Sequence, residues 1–410
     1  MLLPIEHCRS CGGHHLRLFL DLGRMPLVDK LSEPGAPADP VYPLRVAFCE
    51  ECWLVQLLET PPPATLFSEC YPYYSSYSSD YLAHARAFAS GATARLGLDS
   101  TSHVLEIASN DGYLLQEFTA RGVQVLGVDP APGPAGVAAA AGIPTRVEFF
   151  DRALADELRE SGYRASLIVA NNVLAHVPDP NELLQAMALV LRPDGVVSIE
   201  VPYVRDLIEQ TQFDTIYHEH HCYFSVSALK PLLERAGLNV IDVQHVHVHG
   251  GSLRVTAGFR PTGATVHTWL EAERDAGMTA FAWYARFADQ VAVMGRDLLV
   301  LLHELRSQGA RIVGYGAAAK GVVLLNHLDI GPDVCEFVVD RNPHKQGRRM
   351  PGVEIPIGSP EALAEARPDY VLLLAWNWAR EILYQQQAYV AAGGRFIIPA
   401  PTPRLLPELG

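Results

Sequence analysis

Residues 103–118, with the sequence HVLEIASNDGYLLQEF, contain an apolar run, a loop of small and polar residues, and the first turns of a helical pattern. HVLEIA predicts a strand at 103–108, and YLLQEFTARG predicts a helix at 113–122. The alternation continues with a helix near 181–192 and with the strands QVLGVD (124–129), ASLIVANN (165–172) and VVSIEVP (196–202). Strands separated by helices are typical of βαβ units, so this part of the chain is predicted to form an α/β domain around a mostly parallel sheet.

The loop after the first of these strands indicates a cofactor site. A dinucleotide fingerprint would read GxGxxG, but this loop contains a single glycine, Gly112. Class I SAM-dependent methyltransferases instead end the strand with an acidic residue, and the N–H groups of a small-residue loop approach the cofactor carboxylate at a helix N-terminus. A carboxylate at the end of the second strand would accept hydrogen bonds from the ribose hydroxyls. The predicted cofactor residues are Glu106, Ala108, Ser109, Asn110, Gly112 and Asp129. A plain strand–turn–helix unit is the alternative.

Composition and charge exclude several classes of protein. The chain has 410 residues, of which 49% are hydrophobic and 19% charged, so global disorder is excluded. This length corresponds to roughly two to four domains. The net charge of −14 disfavours binding to a nucleic-acid backbone, although a local basic pocket could hold one small phosphorylated ligand. The sequence has no long apolar run and no signal-like N-terminus, so we expect a cytoplasmic protein without a transmembrane helix.

Two CxxC pairs near the start of the chain indicate a metal site. The pairs are Cys8 with Cys11 and Cys49 with Cys52. Four thiolates satisfy tetrahedral Zn²⁺ and leave no open position, so the predicted site is structural. The alternatives are two unrelated pairs or one redox pair, but a redox pair would be expected at the start of a helix within a βαβ pattern. Residues 1–70 contain many turn signals and short apolar runs, so metal binding would stabilise a small domain.

The last part of the chain predicts a second, smaller α/β unit. Residues 264–310 have the pattern of long helices, and ARIVGYGAAAKG (310–321) restarts a strand, a glycine turn and a helix. Before them, HVHVHGGSLRVTAGF (245–259) predicts a pair of strands at one edge of the first sheet. We therefore divide the chain into a zinc-binding domain (1–70), a Rossmann-like SAM methyltransferase domain (71–262), and helices with a C-terminal Rossmann-like α/β domain (263–410).

Six segments behind the cysteines resemble the sugar C-methyltransferases: ASNDGYLLQEF, GVDPAP, VANNVLAHVPD, FDTIYHEHHCYFS, HGGSLRV and GYGAAAKG. Members of this family methylate nucleotide-linked 4-keto-deoxysugars in antibiotic and related pathways. The resemblance covers nearly the whole chain. It implies a zinc domain, a SAM-binding domain and a C-terminal domain that holds the nucleotide. Ala108 and Tyr77 stand where some members have glycine, and the resemblance implies an altered sugar pocket near Tyr77.

The YHEH segment supplies the residue types that C-methylation needs. A carbon next to a ketone becomes a nucleophile once its proton is removed, which requires a base and donors near the developing enolate oxygen. The resemblance implies that Tyr217, Glu219 and His220 line the active site, with His220 favoured as base and Glu219 as its orienting group or as the base itself. If the segment is extended, Tyr217 and Glu219 lie on one side of it, and His218 and His220 on the other. The resemblance adds Tyr71 and His176 as catalytic candidates, and Asn171 and Asn172 beside the cofactor.

A glycine-rich turn in the C-terminal unit indicates a phosphate site. Gly314, Gly316 and Lys320 follow a predicted strand and open a helix, whose N-terminus would favour a diphosphate. Packing glycines are the alternative, because the P-loop pattern is absent. With the family resemblance, the predicted substrate-binding residues are Gly316, Lys320, Asp340, Arg341 and Lys345.

The leading hypothesis is SAM-dependent C-methylation of a dTDP-4-keto-deoxyhexose, with C3 favoured and C5 next, by a monomer or homodimer. We expect no nucleic-acid or membrane partner. Other hypotheses are 4-ketoreduction with NADPH, alone or in addition to methylation, and a zinc-ribbon methyltransferase acting on RNA or protein. Metal binding by YHEHH (217–221), or by His245, His247 and His249, is also considered.

Overall fold

The computed structural model describes residues 3–61 and 73–406. Its N-terminal region contains β1 (Leu3–Pro4), β2 (Leu16–Pro26), β3 (Val41–Cys49), β4 (Val55–Leu57) and β5 (Glu59–Thr60). β2, β3 and β4 form an antiparallel sheet, and β1 pairs with β5. The buried side chains of this region, such as Phe48 and Leu57, belong to the same core as those of the central domain. The small domain is therefore packed onto the rest of the protein and does not rely on a core of its own.

The central domain is built on a seven-stranded sheet. Its region contains β6 (His103–Ile107), β7 (Gln124–Val128), β8 (Thr145–Arg146), β9 (Ala165–Asn171), β10 (Leu191–Pro202), β11 (Cys222–Tyr223), β12 (Asn239–Val246) and β13 (Ser252–Gly258). The strand order is β12-β13-β10-β9-β6-β7-β8. The five strands from β10 to β8 are parallel, and β13 and β12 add an antiparallel pair at one edge. The predicted α/β sheet with its edge pair is confirmed.

The helices of the central domain alternate with its strands along the chain. They are α1 (Ser79–Leu96), α2 (Leu115–Thr119), α3 (Pro132–Ala140), α4 (Arg152–Glu160), α5 (Pro180–Val190), α6 (Val204–Glu209) and α7 (Val226–Arg235). The side chains of Asp151, Asp179 and Ser225 accept N–H groups at the starts of α4, α5 and α7. The helix predicted at 113–122 is shorter than expected, because Gly112 has a φ of 78° and the chain enters the helix only after a turn.

The C-terminal region begins with the linker helices α8 (Ala264–Asp275), α9 (Phe281–Tyr284) and α10 (Phe287–Ser307). Its sheet contains β14 (Ile312–Tyr315), β15 (Val338–Val339), β16 (Ile357–Gly358), β17 (Tyr370–Leu373), β18 (Arg395–Ile398) and β19 (Arg404–Leu406). The order is β16-β15-β14-β17-β18-β19, with β19 antiparallel. The remaining helices are α11 (Ala319–His327), α12 (Ala362–Ala366), α13 (Ala379–Gln385) and α14 (Gln387–Ala391). Within residues 3–61 and 73–406, no helix combines the length and apolar character needed to cross a membrane.

Direct contacts join the three regions. β11, which follows the YHEHH segment, pairs with β4, so the N-terminal sheet contains a strand from the central domain. The N–H of Leu57 donates to the carbonyl of His221 at 2.9 Å. The N-terminal domain also reaches the C-terminal domain, because the N–H of Arg349 donates to the carbonyl of Ser32 at 2.9 Å. These backbone bonds fix the N-terminal domain against both other domains.

Candidate active site

A cavity of about 640 Å³ lies at the carboxyl ends of β6, β7 and β9. Ligands bind at this edge in α/β sheets, because the loops that follow parallel strands open there. Asp29 of the N-terminal domain and the start of α11 in the C-terminal domain complete its walls. The predicted residues that line the cavity are Ala108, Asn110, Asp129, Asn171, Asn172, His176, Tyr217, Glu219, His220, Lys320 and Lys345.

The loop after β6 has an unusual backbone. Ala108, Asn110 and Gly112 have φ angles of 54°, 51° and 78°. A Cβ at Gly112 would lie 3.2 Å from side-chain atoms of Ala138 and Ile143, so the loop also packs closely against its neighbours. Left-handed non-glycine residues persist only where the surrounding structure enforces them, and they concentrate at ligand sites.

Asp129 is held by the backbone of two loops. Its Oδ2 accepts the N–H of Asn110 and its Oδ1 accepts the N–H of Ala131, both at 2.8 Å. Burial raises the pKa of Asp129, although the two donors oppose this effect. Each carboxylate oxygen keeps a further lone pair that could accept a ribose hydroxyl. Glu106 and Ser109 are buried behind the cavity wall, and burial raises the pKa of Glu106 well above its ordinary value.

An aromatic wall lies next to this loop. The rings of Tyr81 and Tyr113 stack with centroids 5.1 Å apart, and both line the cavity. Asn171 donates to the hydroxyl of Tyr113 at 3.3 Å, and Asn172 donates to that of Tyr81 at 3.4 Å. Within the described residues, Oδ1 of Asn171 is buried without a hydrogen-bond partner. It is therefore an acceptor available to a ligand.

The side chain of Asn110 contacts the tyrosine-rich segment that precedes α1. Its Oδ1 accepts the N–H of Ser75 at 2.9 Å, and its Nδ2 donates to the carbonyl of Tyr73 at 3.2 Å. The side chain thus holds this segment against the cavity. Tyr77 stacks on Tyr74 at 5.5 Å and is not among the lining residues, so the altered pocket expected near Tyr77 is not observed. The catalytic candidate Tyr71 lies outside the described residues.

The Tyr217–His220 segment forms a turn. The N–H of His220 donates to the carbonyl of Tyr217 at 2.9 Å, which closes the turn. The predicted alternation of an extended segment is therefore wrong, and Tyr217 and His220 lie on the same side. The hydroxyl of Tyr217 is 2.9 Å from Nε2 of His220, and Nδ1 of His220 is 2.8 Å from the carbonyl of Thr215. Because a carbonyl can only accept, Nδ1 carries the proton, and Nε2 presents its lone pair to the hydroxyl.

The environment moves the titration of two neighbouring groups in opposite directions. Burial lowers the pKa of His220 well below its ordinary value, and nearby His176 and Lys320 add to this. Burial raises the pKa of Glu219 to about 8, and the charge of Asp29 contributes. At neutral pH the imidazole of His220 is therefore neutral, while the carboxyl of Glu219 is protonated in most molecules. When the pKa values of two neighbouring groups are shifted in opposite directions, one group can act as the acid and the other as the base of an active site.

His176 lies directly behind this pair. Its ring centroid is 4.6 Å from that of His220, in an edge-to-face arrangement. Burial lowers the pKa of His176 to about 4, so it is neutral beside His220. His218 does not line the cavity, and its Nε2 lies 3.1 Å from the carbonyl of Pro43 in the N-terminal domain. His218 therefore anchors the turn.

The C-terminal domain contributes two cations to the cavity. Burial lowers the pKa of Lys320 to about 8, with Asp214 opposing the shift, and its Nζ lies 4.3 Å from the centre of the Trp376 ring. Lys345 donates to the carbonyl of Ala317 at 2.7 Å. Both lysines line the cavity: Lys320 is in the first turn of α11, and Lys345 lies in the loop after β15. They are positioned for a negatively charged ligand.

The other residues predicted for the nucleotide do not line this cavity. Gly316 has a φ of 92°, and a Cβ there would lie 2.6 Å from Cβ of Ala375, so it is required for close packing. Oδ2 of Asp340 accepts the N–H of Ala317 at 2.7 Å, and this bond holds the turn before α11. Arg341 pairs with Glu381 at 3.4 Å and lines a separate surface pocket. Their contact with a nucleotide stays a prediction.

The four predicted cysteines come together. Sγ of Cys8 is 3.4 Å from that of Cys52, and Sγ of Cys11 is 3.7 Å from that of Cys49. All four sulfur atoms lie within 4.8 Å of one another. Tetrahedral Zn²⁺ with Zn–S bonds of about 2.3 Å requires sulfur separations of about 3.8 Å, so the cluster fits zinc. Among the described residues, it is the only group of three or more potential ligands close enough to bind a metal. The histidine segments considered above form no such group.

Several residues at the cavity were not predicted from the sequence. Asp29 is in a turn without any motif, Thr215 is in a short 3-10 helix within the FDTIYHEHHCYFS segment, and Tyr73 precedes α1. Asp214 lies next to the cavity, where it accepts a hydrogen bond from Trp376 at 2.6 Å. The only available signal was the position of Asp214 and Thr215 immediately before the YHEH segment.

Comparison with known proteins matches all three regions. Family models match at residues 8–67 (“Putative zinc binding domain”), 81–243 (“Methyltransferase domain”) and 247–401 (“C-methyltransferase C-terminal domain”). The C-methyltransferase NovU of Streptomyces niveus is 37% identical over 98% of this chain and 97% of its own length. A ubiquinone biosynthesis O-methyltransferase of Aeromonas salmonicida is 28% identical over 35% of this chain and 66% of its own length.

A solved structure of the 1,6-didemethyltoxoflavin-N1-methyltransferase of Burkholderia thailandensis, with bound 1,6-didemethyltoxoflavin and S-adenosylhomocysteine, matches 52% of this chain and 97% of its own length. The two chains are 21% identical, with a TM-score of 0.36.

The fold and site together define a SAM-dependent methyltransferase with a zinc-binding domain. The full-length similarity to NovU is more specific: the chain belongs to the C-methyltransferase family and is a SAM-dependent C-methyltransferase. The residues of the cavity fit the cofactor, because Asp129 can bind the ribose and Oδ1 of Asn171 is an unused acceptor.

Proposed function

We propose that the enzyme methylates a carbon next to the ketone of a dTDP-4-keto-deoxyhexose, with C3 favoured, in deoxysugar biosynthesis for an antibiotic. The observation that carries this proposal is the Tyr217–His220 hydrogen bond of 2.9 Å in the same cavity as the cofactor loop. An O-methyltransferase needs a base for a hydroxyl, whereas a C-methyltransferase must also stabilise an enolate. The buried base, the protonated carboxyl and the hydroxyl supply both functions.

His220 is the proposed base. Its Nε2 lone pair would accept the proton from the sugar carbon next to the ketone, and the electron pair of the broken C–H bond would form the enolate. Nδ1–H remains bonded to the carbonyl of Thr215, and this bond holds the ring in the tautomer that exposes Nε2. The developing negative charge next to the ring would raise the proton affinity of His220 during the step.

Glu219 is the proposed hydrogen-bond donor to the enolate oxygen or to a neighbouring hydroxyl. Before the sugar binds, the single hydroxyl hydrogen of Tyr217 is donated to Nε2 of His220, so Tyr217 is proposed to turn to the enolate oxygen when the sugar C–H takes its place at Nε2. Glu219 can donate because burial raises its pKa to about 8. Tyr71 and His176 keep their proposed supporting roles. When bound, SAM supplies an electrophilic methyl group for the carbon that His220 has deprotonated. Glu106, Ala108, Ser109, Asn110, Gly112, Asp129, Asn171 and Asn172 are proposed to hold this cofactor.

The sugar nucleotide is proposed to lie between the methyltransferase and C-terminal domains. The two lysines of the cavity, Lys320 and Lys345, would neutralise its diphosphate. Gly316, Asp340 and Arg341 complete the proposed nucleotide residues, with Asp340 acting through the turn before α11. The division at 1–70, 71–262 and 263–410 stays a proposal; the three family models match residues 8–67, 81–243 and 247–401. A cytoplasmic location and a monomeric or homodimeric state stay predictions.

The test is to incubate the enzyme with SAM and dTDP-4-keto-dideoxyhexose and to locate the new methyl group by NMR. A methyl group on C3 supports the proposal, and one on C5 moves the reaction to the other side of the same ketone. A methyl group on oxygen, or none with any keto-sugar, would overturn it. A second measurement follows exchange of the sugar hydrogen for deuterium, which requires His220 but no methyl transfer.

A further inference from the structure

The C-terminal domain contacts the segment that holds the proposed base. A short 3-10 helix, Phe213–Thr215, lies just before the YHEH segment, and its residues are at most 6% exposed. The ring centroid of Phe213 lies 5.1 Å from that of His327 at the end of α11. The next residue, Asp214, accepts a hydrogen bond from Nε1 of Trp376 at 2.6 Å. The C-terminal domain therefore holds this helix at two adjacent positions.

The indole of Trp376 has contacts on its face and at its edge. Trp376 follows β17 at the carboxyl end of the C-terminal sheet, and Nζ of Lys320 lies 4.3 Å from the centre of its ring. A cation in this position is attracted by the face of the indole, while the indole N–H is used for Asp214. Within the part of the chain that the structure describes, neither Trp376 nor Asp214 lines the cavity. Both would therefore act on a ligand through other residues.

The 3-10 helix also forms a hydrogen bond with His220. The residue after Asp214 is Thr215, whose carbonyl accepts a hydrogen bond from Nδ1–H of His220 at 2.8 Å. This bond leaves a lone pair on Nε2, to which the hydroxyl of Tyr217 donates at 2.9 Å. Because the hydrogen bond at one ring nitrogen sets which nitrogen is protonated, a shift of the Thr215 carbonyl would allow the other tautomer. In that tautomer Nε2 already carries a hydrogen and cannot accept a proton from the sugar.

We propose that Trp376 and Asp214 are positioning residues, whose hydrogen bond fixes the carbonyl of Thr215 and thereby selects the tautomer of His220 that can act as the base. The proposal rests on the proposed function, because His220 is assigned there as the base. It gives the C-terminal domain a part in proton transfer in addition to nucleotide binding. The base is then competent only while the C-terminal domain is docked on the methyltransferase domain.

The direct test determines the tautomer of His220 by NMR of the full-length, zinc-loaded enzyme labelled with ¹⁵N-histidine, at neutral pH and without a sugar. His220→Asn identifies the resonances. The unaltered enzyme should show a protonated Nδ1 and an unprotonated Nε2. Trp376→Phe keeps an aromatic ring but has no N–H to donate, so we expect both tautomers to be populated. Asp214→Asn keeps an oxygen that can accept the indole N–H, so it should preserve the original tautomer.

Turnover gives the second measurement. At saturating sugar nucleotide, Trp376→Phe should lower kcat by roughly 2- to 10-fold, the usual contribution of one hydrogen bond. Exchange of the sugar hydrogen for deuterium should slow by the same factor, with zinc content and the circular dichroism spectrum unchanged. Trp283→Phe is the matched control, because Trp283 packs on Tyr284 in the linker helix α9. It should change neither the tautomer nor kcat.

The tautomer decides between a positioning role and a merely structural one. An unchanged tautomer in Trp376→Phe would overturn the proposal, even if kcat falls. If Trp376→Phe does not fold, Asp214→Leu removes the acceptor of the same bond and should give the same mixture of tautomers, with Asp214→Asn as its counterpart. If no sugar is methylated at all, the proposed function fails, but the NMR measurement still decides on Trp376 and Asp214.

Discussion

The two sides of the cavity are built in different ways. The side that we propose for the cofactor, called the cofactor side, comes mainly from one strand–loop–helix unit and the strand after it, in which the N–H of Asn110 donates to the carboxylate of Asp129 at 2.8 Å. The side that we propose for the sugar, called the sugar side, is assembled from three domains, because Asp29, His220 and Lys320 come from the N-terminal, central and C-terminal domains. A site made from neighbouring strands is encoded locally, whereas a site between domains depends on how the domains pack.

The two sides of the cavity also present groups suited to different chemistry, namely ligand binding on the cofactor side and proton transfer on the sugar side. The cofactor side presents backbone groups, an amide and a carboxylate, which bind a ligand without exchanging protons. The sugar side contains two neighbouring groups, His220 and Glu219, whose pKa values burial moves in opposite directions. Perturbed pKa values are a mark of catalytic groups. We therefore expect changes on the sugar side to affect turnover and sugar binding while leaving SAM binding intact.

Loss of zinc should have the largest effect and should damage the sugar side first. Cys49→Ser removes one of four ligands, and zinc binding contributes roughly 10 kcal/mol to the folding of small metal domains. We expect zinc content to fall close to zero and activity to be lost, because Asp29 and the β4–β11 pairing belong to this domain. Metal analysis and activity assays check this. Cys335→Ser, at a buried cysteine outside the cluster, should retain zinc. Full zinc occupancy in Cys49→Ser would contradict a four-cysteine site.

Removal of the proposed base should reduce turnover without weakening the binding of SAM, and should therefore distinguish the two sides of the cavity most clearly. His220→Asn should reduce kcat by about 10² to 10⁴, the usual contribution of a general base, with nearly unchanged affinity for SAM. Steady-state kinetics and calorimetric titration with SAM measure the two effects. His247→Asn, at an exposed histidine, is the control and should behave as the unaltered enzyme. Unchanged turnover in His220→Asn would remove His220 from the mechanism.

A smaller effect is expected for the cation of the C-terminal domain. Lys320→Ala should raise KM for the sugar nucleotide by roughly 10- to 100-fold, since a hydrogen bond to a charged group contributes about 1.5–3 kcal/mol. The affinity for SAM should not change. Lys230→Ala, which removes a surface lysine paired with Glu234, is the matched control. An unaltered KM in Lys320→Ala would place the diphosphate elsewhere.

The smallest effect concerns pH. The pKa values of Glu219 and Lys320 are both moved to about 8, so Glu219 loses its proton and Lys320 its charge as the pH rises through that value. Activity should therefore be retained below pH 8. Above it, kcat should fall by about tenfold per pH unit because of Glu219, and kcat/KM should fall more steeply because it also depends on Lys320. A profile of kcat/KM measures the decline. In Glu219→Gln, which cannot ionise, the decline of kcat should disappear. A rise in kcat/KM through this range would contradict the protonated role of Glu219.

Much of the fold and part of the site could be predicted from residue patterns. The alternation around HVLEIASNDGYLLQEF predicted the parallel sheet, and the CxxC pairs predicted the four-sulfur cluster. These predictions succeeded because strand–loop–helix units and metal ligands on tight turns are local features of the chain. The turn at Tyr217–His220 was missed, because an extended segment and a turn are equally compatible with YHEH until Thr215 and the neighbouring domain hold it.

The sequence by itself determined the class of enzyme, the loop and Asp129 that we propose for the cofactor, and the four cysteines of the zinc-binding domain. Only the tertiary structure decided that Asp29 and Lys320 line the same cavity as Glu219, and that Tyr217 donates to His220. The physical reason is that a motif encodes contacts between residues close in the chain, whereas burial and charge at an interdomain cavity arise from residues far apart. Those two quantities set the pKa values on which the proposed chemistry depends.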